Sequence, residues 1–337
     1  MYFCPSMTEK ILIIDFGSQY TQLIARKVRE CNVYGEIHPC TKPIIPDDTV
    51  KGVILSGSPF SVNDQQAPKP DFKVFAKKIP VLGVCYGAQL IAQSLGGEVA
   101  KSLHREYGRA ILKHQGLEPL LEAVSQNSQV WMSHADTIVH LPENCEVVAT
   151  TDDIPVAAFK CKDNALRSVY GLQFHPEVYH STEGLQILKN FLINICHCSQ
   201  NWTPAAFVNQ TVGDIKKQTG DQQMIMALSG GVDSTVAATL IHNAIGKNLH
   251  GVFVDNGLLR KDEFKQVLKA YHDIGLNVEG VNAKERFYAA LKSVTNPEQK
   301  RKIIGRLFID IFQEEAAKIP GVSFLGQGTI YPDVIES

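Results

Sequence analysis

The sequence predicts an α/β protein of two domains, each built on a mostly parallel sheet. Three observations support this fold class. Near-continuous apolar runs of strand length alternate with helical patterns in both halves of the chain, as in sheets that helices cover on both faces. The length of 337 residues suits about two domains. The pattern breaks at 199–204, a polar stretch in which Pro204 could begin a new helix.

In the first half, short apolar runs are predicted to be strands and amphipathic stretches to be helices. The predicted strands are 11–16, 53–55, 81–84, 110–112, 146–149 and 169–174. The predicted helices are about 20–30, 88–95 and 182–195. The runs 110–112 and 146–149 are expected in an extension of the sheet.

The second half repeats this alternation. Strands are predicted at 224–228, 250–255 and 276–281, with helices at 233–245 and about 261–274. Two further helices and a last apolar run, 322–326, follow. A parallel strand needs a crossover connection to its next neighbour, and none follows this run. The second domain is therefore expected to be incomplete.

Composition excludes several classes of protein. With a net charge of −2 and 20% charged residues, the chain has no electrostatic footprint for nucleic acid or an acidic membrane. No apolar run approaches the roughly 20 residues of a membrane helix, and residues 1–6 resemble a short extension rather than a signal peptide. The eight cysteines are scattered, and Cys196-His197-Cys198 lacks a second cluster to complete a zinc site. These features predict a cytoplasmic protein in a reducing compartment.

Residues 229–235, Ser-Gly-Gly-Val-Asp-Ser-Thr, lie between a predicted strand and a predicted helix. Backbone N–H groups in such a turn face outward, two glycines admit an oxyanion, and the helix dipole favours negative charge. No lysine follows the glycines, which distinguishes the segment from the loop that holds a transferable γ-phosphate. An ordinary turn of the same composition is the alternative. The placement favours a phosphate-binding loop.

Cys85 ends the apolar run 81–84 and precedes Gly87 and a predicted helix. A sharp strand-to-helix turn projects its central side chain from the sheet, and a helix N-terminus favours the reactive thiolate. A small buried cysteine is the alternative. His175 and Glu177 follow another strand, at the sheet edge where α/β proteins build their sites. A histidine oriented by a carboxylate could serve the cysteine as acid and base.

Residues 83–89 together with His175-Pro176-Glu177 resemble the class I (triad) glutamine amidotransferases, over roughly residues 8–198. With the 229–235 loop added, the chain is similar to the glutamine-hydrolysing GMP synthetases. That family joins a flavodoxin-like amidotransferase domain to a Rossmann-like ATP pyrophosphatase domain. The further stretches that agree are 15–20, 105–108, 254–260, 301–305 and 328–337. The resemblance implies domains at 8–198 and 205–337, a linker at 199–204, and a missing C-terminal part.

The resemblance also implies a role for each matching residue of the first domain. Cys85 would attack the glutamine carboxamide and form a thioester, His175 would move protons, and Glu177 would orient His175. Gln89 would help to seat glutamine. Backbone N–H groups of Tyr86 and Ser58 would form the oxyanion hole, each typically worth about 2.7–4 kcal/mol.

Two positions depart from the family pattern. Ser58 stands where the family usually has glycine, so the turn is strained if it needs a positive φ and unaffected if it does not. The segment Ser133-His134-Ala135-Asp136 has alanine where glycine is more common.

For the second domain, the resemblance implies ATP on Ser229, Gly230, Gly231, Val232, Asp233, Ser234 and Thr235. Asp233 would also help to hold Mg²⁺. Asp255 would line the adenosine pocket, or else be a plain turn residue. Arg301 would contact XMP, or else belong to a solvated face of the run 300–302.

The implied reaction adenylates the XMP 2-oxygen, releases pyrophosphate and displaces AMP with ammonia drawn from glutamine. The family's full-length members form homodimers. Three other functions stay open. The chain could be a glutaminase with a non-catalytic nucleotide-binding fragment, another pyrophosphatase-loop amidotransferase, or a regulatory nucleotide-binding module. Failure of Cys85 to react with a glutamine-analogue electrophile would favour the last.

Overall fold

A computed structural model describes residues 9–115, 118–162 and 167–327, except for the side chains of 103–106. The chain divides into two compact units with the boundary between Thr203 and Pro204. The predicted N-terminal extension and the 328–337 motif lie outside the described residues, as do the side chains of Arg105 and Glu106.

The first unit contains one large sheet with helices on both faces. Its strands are β1 (Lys10–Asp15), β2 (Tyr34–Pro39), β3 (Val50–Leu55), β4 (Val81–Val84), β5 (Glu98–His114), β6 (Ser128–His140), β7 (Cys145–Thr150), β8 (Ala158–Cys161) and β9 (Val169–Leu172). Its helices are α1 (Thr21–Glu30), α2 (Lys73–Ala76), α3 (Tyr86–Ser94) and α4 (Gly184–Lys189). A 3₁₀ turn at Pro119–Leu121 and a π-helical segment at Asn190–Ile195 complete the unit.

The sheet has nine strands in the order β2-β1-β3-β4-β9-β8-β7-β5-β6. The first five are parallel and the rest pair antiparallel. The mostly parallel core and the extension containing 110–112 and 146–149 are therefore confirmed. Because β4 and β9 are parallel neighbours, the segments that follow them emerge at the same edge of the sheet.

The core explains why the central strands are apolar without interruption. Along β1, Ile11 and Ile13 face one hydrophobic cluster, whereas Leu12 and Ile14 face another. Since successive side chains of a strand point to opposite faces, a strand buried on both faces must be apolar at every position.

Several elements of the first unit differ from the prediction. Strands β2, β6 and β8 were not predicted, because their sequences mix polar and apolar residues. The predicted helix 182–195 begins at Gly184, and its α-helical part ends at Lys189, where π-helical geometry takes over.

The second unit contains a parallel sheet with flanking helices. Its helices are α5 (Pro204–Thr219), α6 (Val232–Ile245), α7 (Glu263–Asp273), α8 (Lys284–Leu291) and α9 (Pro297–Ala317), with a 3₁₀ turn at Gly246–Asn248. Its strands are β10 (Gln223–Leu228), β11 (Leu249–Asp255), β12 (Val278–Asn282) and β13 (Val322–Gly326). The sheet order among the described residues is β12-β11-β10-β13, and every pair is parallel. Each predicted strand and helix of this half is present, with ends shifted by a few residues.

The cysteines behave differently from one another. Cys145 and Cys161, which face each other across β7 and β8, form a disulfide. The sequence offered no framework that indicates this pairing. Cys196 and Cys198 are buried in the core, and burial raises the pKa of the Cys198 thiol to about 12. Within the described ranges, no group of three or more acidic, histidine or cysteine side chains could hold a metal.

Candidate active site

Cys85 lies at a strained turn between β4 and α3. Its backbone angles are φ 51° and ψ −108°, a combination that side chains with a Cβ rarely adopt and that costs on the order of 1–3 kcal/mol. The Cys85 N–H donates to the carbonyl of Leu172 on β9 at 2.7 Å. Strain of this kind, held by the neighbouring strand, is the geometry of a nucleophile elbow.

Two glycines allow the elbow to pack this tightly. A Cβ at Gly83 would lie 2.5 Å from the carbonyl carbon of Gly87. A Cβ at Gly87 would lie 2.7 Å from Cβ of Leu55 and would also clash with the Leu55 carbonyl oxygen. The close approach of α3 to β3 and β4 therefore depends on both glycines.

His175 and Glu177 form a buried pair just beyond β9. The Nδ1 atom of His175 lies 2.7 Å from Oε1 of Glu177, and the two residues are only 3% and 1% exposed. A buried carboxylate at this distance fixes the orientation of the ring and favours the tautomer with a proton on Nδ1. The ring edge of Tyr20 also contacts His175, with centroids 5.0 Å apart.

The surroundings of His175 favour its charged form. Burial alone lowers its pKa, but the Glu177 carboxylate and the Cys85 side chain outweigh burial and raise the pKa well above 6.5. The neighbouring His134 has the opposite behaviour, because burial and the charge of His175 lower its pKa to about 4. At neutral pH the site thus holds one charged and one neutral imidazole.

One cavity of about 770 Å³ unites the predicted residues of the first domain. Its wall includes Cys85, His175, Gln89, Tyr86 and Ser58. Glu177 lies behind His175 rather than on the wall. A second cavity of about 720 Å³, at the antiparallel end of the sheet, contains none of the predicted residues.

Strand β6 supplies much of the opposite wall. The Cys85 thiol donates to the Ser133 carbonyl at 3.7 Å, and Nε2 of Gln89 donates to the Asp136 carbonyl at 2.8 Å. The family-like segment 133–136 indicated that this stretch matters, but the sequence did not reveal its contact with Cys85. Ser18 and Tyr20 also line the cavity, although neither was predicted to be a site residue.

Ser58 fits its turn without backbone strain. It is not among the described non-glycine residues that have a positive φ. Its hydroxyl donates to the carbonyl of Phe16 at 2.9 Å and accepts from the N–H of Phe60 at 3.2 Å. Of the two outcomes expected for Ser58, the structure shows the one without a conformational cost.

The predicted phosphate loop lies between β10 and α6. Gly230 has φ +81°, and its N–H donates to the hydroxyl of Tyr271 at 3.0 Å. The hydroxyls of Ser229 and Ser234 lie 3.0 Å apart. Residues 229–233 are exposed, and Asp233 is in the first turn of α6. The exposed loop at a helix N-terminus suits an anionic ligand.

The two remaining predicted site residues of the second domain are Asp255 and Arg301, which lie on β11 and α9. Asp255 ends β11 and is buried, where it accepts from the N–H of Gly257 at 3.0 Å and pairs with Lys284 at 3.0 Å. The contact with Gly257 is that of a turn residue, whereas the ion pair with Lys284 joins β11 to α8. Arg301 is exposed on α9.

Comparison with known families matches each half of the chain. Residues 12–195 match the family "Glutamine amidotransferase class-I". Residues 205–306 match the family "NAD synthase".

Two curated relatives carry the name "GMP synthase [glutamine-hydrolyzing]". The protein of Cytophaga hutchinsonii is 56% identical over 98% of this chain, and that of Christiangramia forsetii is 55% identical over 98%. The chain spans 65% of the length of each. A solved glutamine amidotransferase from Thermotoga maritima has a TM-score of 0.47 and 19% identity, over 57% of this chain and 99% of its own.

Proposed function

This chain belongs to the class I glutamine amidotransferase family, and we propose that it acts in glutamine-dependent amination of XMP to GMP. It would supply an amidotransferase domain at 8–198, a linker at 199–204, and ATP pyrophosphatase sequence at 205–337. The strained Cys85 elbow shares one cavity with His175, whose ring is held by buried Glu177, and this arrangement carries the proposal. The names of the relatives support the choice of reaction.

In the glutaminase half, the Cys85 thiol passes its proton to His175, and the resulting thiolate attacks the carboxamide carbon of glutamine. The carbon–nitrogen bond breaks as a carbon–sulfur bond forms, and His175 donates a proton to the departing ammonia. A water molecule then attacks the thioester and His175 accepts its proton. The carbon–sulfur bond breaks, and glutamate leaves as the Cys85 thiolate beside protonated His175 is restored. The raised pKa of His175 keeps it protonated for the first step.

The cavity wall provides the remaining groups. The N–H of Tyr86 begins α3 directly after the nucleophile, and the N–H of Ser58 belongs to the facing turn. We assign these two donors to the oxyanion of the tetrahedral intermediates, where each is worth about 2.7–4 kcal/mol. Gln89 borders the same space and would hold the glutamine substrate.

In the nucleotide half, the loop 229–235, of which 229–233 are exposed, would hold the phosphates of ATP. Magnesium takes few protein carboxylates and keeps its waters, so exposed Asp233 beside the loop fits Mg²⁺ bound together with nucleotide. When bound, the ion would neutralise phosphate charge. Exposed Arg301 would contact XMP. Asp255 ends β11, the parallel neighbour of the strand that precedes the loop, and would line the adenosine pocket.

The XMP 2-oxygen would attack the α-phosphorus of ATP and expel pyrophosphate. Ammonia then displaces AMP from the adenylated carbon and leaves GMP. Ammonia lost to bulk water is protonated, so the proposal requires a sequestered route between the two reactions. A cytoplasmic location suits these substrates. Among the described residues, no helix is both long and apolar enough to span a bilayer.

The test is to incubate the 337-residue chain with XMP, Mg·ATP and glutamine and to measure GMP and glutamate by mass spectrometry. GMP that disappears in Cys85→Ala, and returns when ammonium replaces glutamine, supports the complete reaction. Glutamate without GMP confines this chain to the glutaminase half. A folded chain that makes neither product contradicts the proposal.

A further inference from the structure

Ser181 lies six residues after His175 and makes two hydrogen bonds behind it. Its hydroxyl donates to the carbonyl of His175 at 2.5 Å and accepts from the N–H of Trp131 at 3.0 Å. The residue is 6% exposed, and its own N–H donates to the carbonyl of Val178 at 3.1 Å. A short turn therefore brings the Ser181 hydroxyl back onto the histidine.

These contacts close a ring around the backbone of His175. The N–H of His175 donates to the carbonyl of Trp131 at 3.0 Å. The Trp131 carbonyl thus holds the N–H of His175 directly, and the Trp131 N–H holds the carbonyl of His175 through the Ser181 hydroxyl. Both polar backbone groups of the histidine are tied to the same residue of β6.

The same strand also holds the nucleophile. Ser133, two residues after Trp131, accepts the hydrogen bond from the Cys85 thiol. Since Trp131 and Ser133 belong to one extended strand, the separation of the Cys85 and His175 side chains depends on how firmly His175 is attached to β6. Glu177 fixes the rotation of the imidazole through Nδ1, but it lies on the same turn as His175 and has no described hydrogen bond to β6.

We propose that Ser181 is a positioning residue. It anchors the backbone of His175 to β6 and so sets the distance between the His175 imidazole and the Cys85 sulfur. The expected effect on catalysis rests on the proposed glutaminase function, whereas the positioning of His175 rests on the hydrogen bonds alone. Ser181 touches neither the cavity nor the thiol among the contacts described. Its removal changes catalysis only through His175.

The charged and titratable groups that face His175 come from four places in the fold. They are Cys85 at the elbow, Glu177 on the same turn, His134 on β6, and Tyr20 before α1. Ser181→Ala changes none of these side chains. A change in the pH profile of the variant would therefore report a change in their geometry.

The experiment compares Ser181→Ala with Ser181→Thr and Ser128→Ala in the full chain. Ser128 is an equally buried serine at 6% exposure, and its hydroxyl lies 3.3 Å from that of Thr182 rather than on His175. Each variant is assayed for ammonia release from glutamine and for iodoacetamide labelling of Cys85 across pH, read on the Cys85 peptide by mass spectrometry.

For Ser181→Ala we expect kcat and the rate of Cys85 labelling at neutral pH to fall about 10- to 100-fold, which is the effect of a misplacement near 1 Å. KM should stay within about twofold of the wild-type value, because the residues of the cavity wall are unchanged. The pH profile should shift, Ser181→Thr should restore most activity, and Ser128→Ala should resemble wild type. Unchanged kcat and pH profile in folded Ser181→Ala, or an equal loss in Ser128→Ala, would overturn the inference. If wild type releases no ammonia, the proposed function fails, but the labelling comparison still decides the role of Ser181.

Discussion

Replacing Glu177 by glutamine tests the central pair of the site. Glutamine keeps the size of the side chain and an oxygen that accepts from Nδ1 of His175, but it removes the charge 2.7 Å from the ring. A hydrogen bond to a charged group contributes about 1.5–3 kcal/mol. At 1.4 kcal/mol per factor of ten, the glutaminase kcat/KM at neutral pH should fall by roughly 10- to 150-fold.

The pH dependence of this variant has a defined direction. The Glu177 charge raises the pKa of His175, so Glu177→Gln lowers that pKa. The alkaline limb of the kcat/KM profile, where the imidazolium loses its proton, should move to lower pH. Ammonia release measured from pH 5 to 10 would reveal the shift.

The contribution of His175 to folding stability should also depend on pH. Since folding raises the pKa of His175 above 6.5, its protonation stabilises the fold fully below about pH 6.5. That contribution is lost as the pH rises through the raised pKa. The difference in free energy of unfolding between wild type and Glu177→Gln should therefore reach about 1.5–3 kcal/mol in acid and shrink in alkali. Both tryptophans, Trp131 and Trp202, lie in the first unit, so fluorescence during urea unfolding reports on it alone.

The matched control is Glu183→Gln. Glu183 accepts from the N–H and hydroxyl of Ser125. Burial raises its pKa, but hydrogen bonds from Ser128 and Ser125 outweigh burial and hold the pKa below the usual value. Glu183 has the same chemistry in a neighbouring segment without a contact to His175. Unchanged kcat/KM and an unmoved alkaline limb in Glu177→Gln would refute the reasoning, as would an equal effect in Glu183→Gln.

Three further substitutions test other parts of the fold. Asp233→Ala should weaken Mg·ATP binding about tenfold, for a loss near 1.4 kcal/mol, and leave Cys85 labelling intact. Calorimetry measures the affinity for Mg·ATP, with Asp214→Ala as the control, and a loss of Cys85 labelling would indicate misfolding instead. Ser58→Ala removes two hydrogen bonds and should lower the free energy of unfolding by about 1–2 kcal/mol, yet the backbone donor remains, so a fall in kcat beyond about threefold would contradict the role given to its N–H. Gly87→Ala places a methyl group against Leu55 and should lower the free energy of unfolding by about 3 kcal/mol, whereas Gly213→Ala, with open space around it, should not; equal stability of the two variants would show that the elbow tolerates a side chain.

The parallel strands and the two sharp turns could be read from the sequence because their causes are local. Strands buried on both faces must be apolar throughout, and this pattern located β1, β3, β4, β10 and β11. A glycine-flanked cysteine after such a strand predicted the elbow at Cys85, and the Ser-Gly-Gly segment predicted the exposed loop before α6. Because β4 and β9 are both parallel core strands, Cys85 and His175 were expected at one sheet edge, and one cavity indeed contains them.

Other features depend on residues far apart in the chain. Strand β6 mixes polar and apolar residues, since its pairing with β5 rather than its own composition keeps it extended. The Cys145–Cys161 disulfide follows from the register of β7 and β8, and the burial of Asp255 from its pairing with Lys284. Ser181 gains its contact with His175 only when the turn returns to β6. The sequence by itself predicted which residues would carry the chemistry, because nucleophile, base and loop each have a local pattern. Only the tertiary structure decided how they are held, because hydrogen-bond partners and charges separated by many residues meet only in the folded chain.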